Sequence, residues 1–201
     1  MQIDVVLFDG WDELDGLGPY EVFATAGLDV ALVTLEGARA VTGSHGVTVQ
    51  ATGSLRPDTA MVLIPGGGWN DRAPRGALAQ ARNPAMRDAI TAAHRRGAIV
   101  AGVCTGGMIL AASGVLRGRA AVTHAGGVQE LRDDGVDVRP DARVVDTGSV
   151  VTCGGVTAGL DLALHLVERE CGAPAAARVA REMEHERRGP VVLATPGAVP
   201  D

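Results

Sequence analysis

The chain has 201 residues, 46% of them apolar, enough for one well-buried domain and with nothing that forces a second. Its formal net charge of −6 excludes a nucleic-acid binder built on a basic face, because the basic residues are all Arg and gather only in pairs such as Arg95-Arg96 and Arg187-Arg188. No apolar run reaches the roughly 18 residues of a membrane span, and three cysteines at irregular spacing make neither a disulfide framework nor a zinc site.

Met1 to Phe8 reads as a strand, with no basic leader segment or cleavage site before it, so a cytoplasmic protein with reduced thiols is expected. Trp11 to Tyr20 then reads as a loop carrying Asp12, Glu13 and Asp15, any of which can be a solvated surface acid. The five aromatics are Phe8, Trp11, Tyr20, Phe23 and Trp69, and their gathering near this loop and the later glycine run predicts an apolar pocket around an acid. Asp15, between Leu14 and Gly16-Leu17, is expected to turn inward, with a raised pKa that suits it to donate a proton.

Val30 to Leu35 is the next strand, and Arg39 to Gln50 alternates as an antiparallel ribbon of structural role. After the strand Met61 to Ile64, Pro65-Gly66-Gly67-Gly68 either makes a tight exit or turns its backbone N–H groups into a crevice as donors to a developing anion. It matches neither a Walker loop nor a dinucleotide fingerprint. Asn83 and Pro84 open a helix running to about Arg96, which Gly97 stops.

Ala98 to Val103 is a strand that runs straight into Cys104-Thr105-Gly106-Gly107 and a helix from Met108. Such a connection presents the sulfur, and N–H groups of a helix start lower a thiol pKa, so an activated thiolate is predicted at Cys104. A buried structural cysteine is the competing reading. Ala120 to Val122 is a strand followed by Thr123 to Gly127, from which His124 reaches the same crevice. Val150 to Thr152 ends at Cys153, the internal competitor for chemistry. Helices follow over 156–170, with Leu160, Ala163, Leu164 and Val167 on one face, and over 174–186, packing by a narrow face. Cys171 reads as packing, and His45, His94, His165 and His185 as surface or packing residues, with no pair at metal spacing.

The alternation of strands and helices predicts an α/β domain over 1–190, a flavodoxin-like three-layer sandwich with a mostly parallel central sheet, and a loosely held tail over 191–201. Sites in such sheets form beyond the carboxyl ends of strands, which is where Asp15, the glycine run, Cys104 and His124 all fall.

Those residues carry a family resemblance. Leu14-Asp15-Gly16-Leu17-Gly18-Pro19, Leu63-Ile64-Pro65-Gly66-Gly67, Gly102-Val103-Cys104-Thr105-Gly106, Thr123-His124 and Gly154-Gly155-Val156-Thr157-Ala158-Gly159 resemble the ThiJ/PfpI superfamily, of class I glutamine amidotransferase-like fold, and within it most resemble isocyanide hydratase. The resemblance implies Cys104 as nucleophile, Asp15 as acid/base beside it and Thr105 as an orienting hydroxyl. It further implies a Gly67 N–H near the substrate, Val156 against the cysteine, and a homodimer. With Gly66, Trp69 and His124 from the loops above, these residues are expected to border the substrate, and no cofactor or metal is expected. Peptidases of the superfamily place histidine directly after the cysteine, and Thr105 stands there, which argues against proteolysis.

The expected reaction is attack of Cys104 on the isocyanide carbon, proton delivery by Asp15 to give a thioimidate, and hydrolysis to an N-substituted formamide with Asp15 as base. Two alternatives stand beside it: a glyoxalase-like enzyme acting on reactive dicarbonyls, and a non-catalytic ligand or redox sensor of the same fold. Relatives that regulate transcription carry a C-terminal helix-turn-helix, and with the sequence ending at Asp201 that module is not expected here.

Overall fold

The structure, a computed structural model, describes residues 1–195. In chain order the first elements are β1 (Gln2–Val6), α1 (Glu13–Thr25), β2 (Asp29–Thr34), β3 (Arg39–Thr42), β4 (Thr48–Ala51), β5 (Gly53–Ser54), β6 (Met61–Ile64), α2 (Ala77–Arg82), α3 (Pro84–Arg95) and β7 (Ile99–Gly102). There follow α4 (Gly106–Ala112), β8 (Ala120–Ala121), a single 3-10 turn (Ala125–Gly127), α5 (Val128–Asp133), β9 (Asp137–Val138), β10 (Val144–Asp146), β11 (Val150–Cys153), α6 (Ala158–Cys171), α7 (Ala173–Glu182) and β12 (Val191–Leu193).

Continuous aliphatic runs make the central strands because both of their faces are covered. All four residues of β6 are fully buried, as are Val100 and Ala101 of β7. The eight-stranded sheet has the order β12-β10-β11-β7-β6-β1-β2-β5. β10 runs antiparallel to β11 and parallel to β12, while the other pairings are parallel. α1, α6 and α7 pack together on one face, and α2, α3 and α4 on the other. The chain leaves β1 toward β2 and leaves β6 toward β7, so its direction across the sheet reverses between β1 and β6. Carboxyl ends of β7, β6 and β1 therefore lie side by side at a topological switch point, and three loops converge there. The ribbon of β3 and β4 is antiparallel, as its alternation predicts.

Three segments differ from the sequence reading. Trp11 to Tyr20 is not a loop: α1 begins at Glu13, because Asp12 caps it by accepting from the Leu14 N–H at 3.1 Å and the Asp15 N–H at 3.4 Å. Gly16, Gly18 and Pro19 lie within that helix and are buried, so packing on the sheet overrides their poor helix propensity. α6 is buried well beyond one stripe, with Leu162 and Leu166 also inside, because α1 and α7 flank it while the sheet lies beneath. The expected tail contributes an edge strand, since Val191–Leu193 pairs in register with Val144–Asp146. The rest of that tail, 196–201, lies outside the described residues. α3 has its Asn83 cap and Pro84 start, and α7 buries only Ala176 and Val179. Among the described residues no helix is long and apolar enough to cross a membrane.

At the amino end of the sheet, β1 carries a fully buried carboxylate, Asp4. Arg56 satisfies it, its Nε donating at 2.6 Å and its backbone N–H at 2.7 Å, while its Nη2 donates to the Ile3 carbonyl at 2.8 Å. Removing one partner of a buried ion pair leaves the other uncompensated. Arg56→Ala is therefore expected to destabilise the fold by about 3–5 kcal/mol, read as a lower urea midpoint with unchanged m-value.

Candidate active site

The turn between β7 and α4 forces Cys104 into the left-handed region, with φ +56°. A residue with a Cβ holds that conformation only where its surroundings over-determine it. Here the Cys104 N–H donates to the Gly154 carbonyl at 3.2 Å, and its own carbonyl accepts from the Thr123 hydroxyl at 2.8 Å and the Gly107 N–H at 3.2 Å. The elbow thus clamps the nucleophile candidate from both neighbouring loops, leaving it 5% exposed. Gly155 completes the fit, since a Cβ there would stand 3.1 Å from the sulfur.

Asp15, in the first turn of α1, is fully buried. Its Oδ2 accepts the Gly66 N–H at 3.0 Å, and its Oδ1 has no hydrogen-bond partner among the described residues. Burial, followed by the nearby charge of Asp12, pushes its pKa up to about 8, against partial relief from the Gly66 amide and Cys104. Burial also drives the Cys104 thiol well above its ordinary range, with the Asp15 charge adding to it and the Thr105 amide pulling back. The resting sulfur is consequently a thiol, not the thiolate that the sequence predicts. α4 has only seven residues, and its start is outweighed by desolvation and a neighbouring carboxyl.

The glycine run also plays a different part from the expected one. Gly66 N–H goes to Asp15, and Gly67 N–H goes to the Thr105 hydroxyl at 3.0 Å, so both amides hold side chains of the site and neither is free for a substrate anion. Gly66 has to be glycine: a Cβ would come within 2.5–2.9 Å of Thr105 and Asp15.

Cys104 and Thr105 open onto a cleft of about 320 Å³, walled by Asp12, Gly67, Gly68, Trp69, His124 and Val156, with Ser44, His45, Asn70 and Asp71 at its lip. Of the residues named from the sequence, Gly66 and Asp15 lie behind this surface and the others reach it. Trp69 alone of the five aromatics lines the cleft, whereas Phe8 and Trp11, in the connection from β1 to α1, and Phe23, on α1, are core, with the Trp11 ring packed against Gly16. Trp69 Nε1 donates to Glu130 at 2.7 Å, and Arg72 Nη2 reaches the same carboxylate at 3.1 Å, tying this wall to α5. The His124 Nδ1 accepts the Gly126 N–H at 3.0 Å and lies 3.1 Å from Asn70 Nδ2. A backbone N–H only donates, so the proton of neutral His124 sits on Nε2.

Cys153 is fully buried, and burial raises its thiol pKa, which removes it as a nucleophile. Cys171 is exposed at the end of α6 instead of packed. His94, His165 and His185 bond Ser149, Asp146 and Asp161 away from the cleft, but His45 stands at its lip, which the sequence reading missed. The usable signal was a histidine at a ribbon tip between Ser44 and Gly46, in a loop short enough to lean over a sheet end. Among the described residues no group of three His, Cys, Asp or Glu side chains is placed to hold a metal ion.

The sequence profile of the DJ-1/PfpI family matches residues 1–169. The chain is 32% identical over 203 aligned positions to the isonitrile hydratase of Pseudomonas putida, covering all of this chain and 85% of that protein. It is 29% identical over 180 positions to the Parkinson disease protein 7 homolog of Danio rerio, covering 87% of this chain and 92% of that one. Among solved structures, a ThiJ/PfpI family protein from Pseudomonas syringae superposes with a TM-score of 0.83 at 27% identity, over 94% of this chain and 76% of that one.

A carboxyl raised by folding binds its proton more tightly in the native state than in the unfolded one, so native stability falls as pH rises from the ordinary carboxyl range to about 8. Asp15→Asn removes that penalty, on the order of a few kcal/mol. Its melting temperature is expected to exceed that of the unaltered protein by roughly 5–10 °C at pH 8 and by little at pH 4, measured by calorimetry.

Proposed function

This chain belongs to the DJ-1/PfpI family, and on that footing we propose that it is a cysteine-dependent hydratase converting isocyanides, also called isonitriles, to N-substituted formamides. The observation that carries this reading is the buried sulfur and carboxyl of Cys104 and Asp15 set together beneath a small cleft, the thiol favouring the ionised carboxyl and the carboxyl's charge opposing ionisation of the thiol. An isocyanide is uncharged, and its terminal carbon accepts both a nucleophile and a proton. A thiol and a carboxylate sharing one proton supply both without placing a new net charge in a low-dielectric site.

Asp15 takes the thiol proton as the sulfur attacks the terminal carbon, and returns it to that same carbon, giving a thioimidate. Its unpartnered Oδ1 is the oxygen free to do so. Water then adds across the C=N bond, the C–S bond breaks, and the formamide leaves with the thiol restored. Thr105, anchored to the Gly67 amide, holds the turn beside the sulfur. A cleft of about 320 Å³ suits a small molecule and not a peptide, in keeping with Thr105 in place of histidine.

A second reading is glyoxalase-like action on dicarbonyls, which also calls for a histidine near the sulfur. His124, with its Nε2 proton available in the same cleft, favours it. Methylglyoxal turnover without formamide production from an isocyanide would decide for it.

Cys104→Ala is expected to abolish formamide production from cyclohexyl isocyanide, and Asp15→Asn to lower it by about 10²–10⁴-fold, followed by chromatography of the formamide. Full activity in either variant overturns the mechanism. The reactive form of the pair holds one proton, and below about pH 8 Asp15 takes a second. kcat/KM should accordingly rise with pH and level off above about 8. A flat profile from pH 6 to 9 contradicts that assignment.

A further inference from the structure

Hydrolysis of the thioimidate needs a base on the side from which water enters, and Asp15 is not on that side. It is fully buried and lies behind the cleft surface. Among the described residues four ionisable groups besides the sulfur face the cleft: Asp12, Asp71, His124 and His45. Asp12 is engaged as the cap of α1. Asp71 is exposed at the lip, and among the described residues no hydrogen bond aims it. His124 has its Nδ1 filled by the Gly126 N–H, so as the neutral ring it can only donate through Nε2.

His45 is the opposite case. It stands at the tip of the ribbon of β3 and β4, over the 9% exposed carboxylate of Glu13. Glu13 accepts the His45 N–H at 2.8 Å, the Val47 N–H at 3.2 Å, the Ser44 hydroxyl at 3.4 Å and the His45 Nδ1 at 2.8 Å. Burial would raise this carboxyl, but the bonds from the His45 ring and from backbone amides outweigh it and hold Glu13 below the usual range. An ionised carboxylate only accepts, so Nδ1 carries the proton, and in the neutral ring Nε2 presents its lone pair, which the Glu13 carboxylate makes more basic by raising the pKa of the ring. The tip is itself fixed, with the Ser44 N–H on the Trp11 carbonyl at 2.7 Å and the Gly10 N–H on the Thr42 carbonyl at 2.9 Å. A base oriented by a third group is the arrangement that activates a nucleophile. With its side chain 72% exposed, His45 also exchanges protons with solvent.

We propose that His45, aimed by Glu13, is the base that activates water for hydrolysis of the Cys104 thioimidate. This rests on the isocyanide hydratase reading. Nε2 takes a proton from water as the oxygen bonds to the thioimidate carbon, and the imidazolium returns that proton to the nitrogen of the opening C=N bond. The resulting adduct collapses as its hydroxyl proton passes to the leaving sulfur and the C–S bond breaks.

The test follows the two half-reactions separately with cyclohexyl isocyanide. His45→Gln should still form the Cys104 adduct, seen as a mass increase equal to the whole substrate, but hydrolyse it about 10²–10³-fold more slowly, so that the adduct accumulates. His45→Ala should regain turnover when free imidazole is added. Unchanged turnover in His45→Gln, loss of turnover with no adduct, or no rescue by imidazole overturns the assignment. Absence of formamide from the unaltered protein removes the hydratase reading itself, and the role of His45 with it.

Discussion

One steric constraint sets the chemistry of the cleft: the backbone of Gly66 passes so close to Thr105 and Asp15 that no side chain fits between them. That approach lets one turn hold Asp15 by one amide and Thr105 by the next. Asp15 is fully buried there, and exclusion of water is the main cause of its raised pKa, with the Asp12 charge adding to it. The switch point in strand order brings the three loops together, and the missing Cβ determines how near they come.

The same closeness makes the site a source of instability. A carboxyl that would ionise in water is kept where ionisation is disfavoured, beside a sulfur whose own ionisation it opposes. Cys104 adds a backbone conformation that costs about 1 kcal/mol or more and is held by Thr123 and Gly154. These unfavourable features are offset by the fully buried aliphatic residues of β6 and β7. Function and packing thus divide between the carboxyl ends of the strands and their interiors.

Much of this was legible in the sequence because local conformation announces itself locally. Glycines around Cys104 marked the elbow, and Asp15 between Leu14 and Gly16 marked an inward acid. What sequence order does not carry is the partner found across the fold. Gly66 and Asp15 are 51 positions apart, and Glu13 and His45 are 32 apart, so neither bond is visible in any window of the chain. The state of the sulfur was misjudged for the same reason: a helix start is a local feature, whereas burial and a neighbouring carboxyl are properties of the assembled core. α1 was missed because Gly16, Gly18 and Pro19 read as a loop until the sheet that covers them is in place.

The cleft has two walls of different make. The inner one is glycine backbone set close against the site's own residues, Gly66 against Thr105 and Asp15, and Gly155 against Cys104 and His124. The outer one is side chains linked in pairs: Trp69 to Glu130, Asn70 to His124, His45 to Glu13. Those pairs join segments that the sheet does not need. Two of those pairs, Trp69 with Glu130 and Asn70 with His124, can be exchanged without disturbing the sheet or the Cys104–Asp15 pair beneath. That stretch of the outer wall is therefore the part of the cleft free to change shape, while the glycines behind it are fixed by contact.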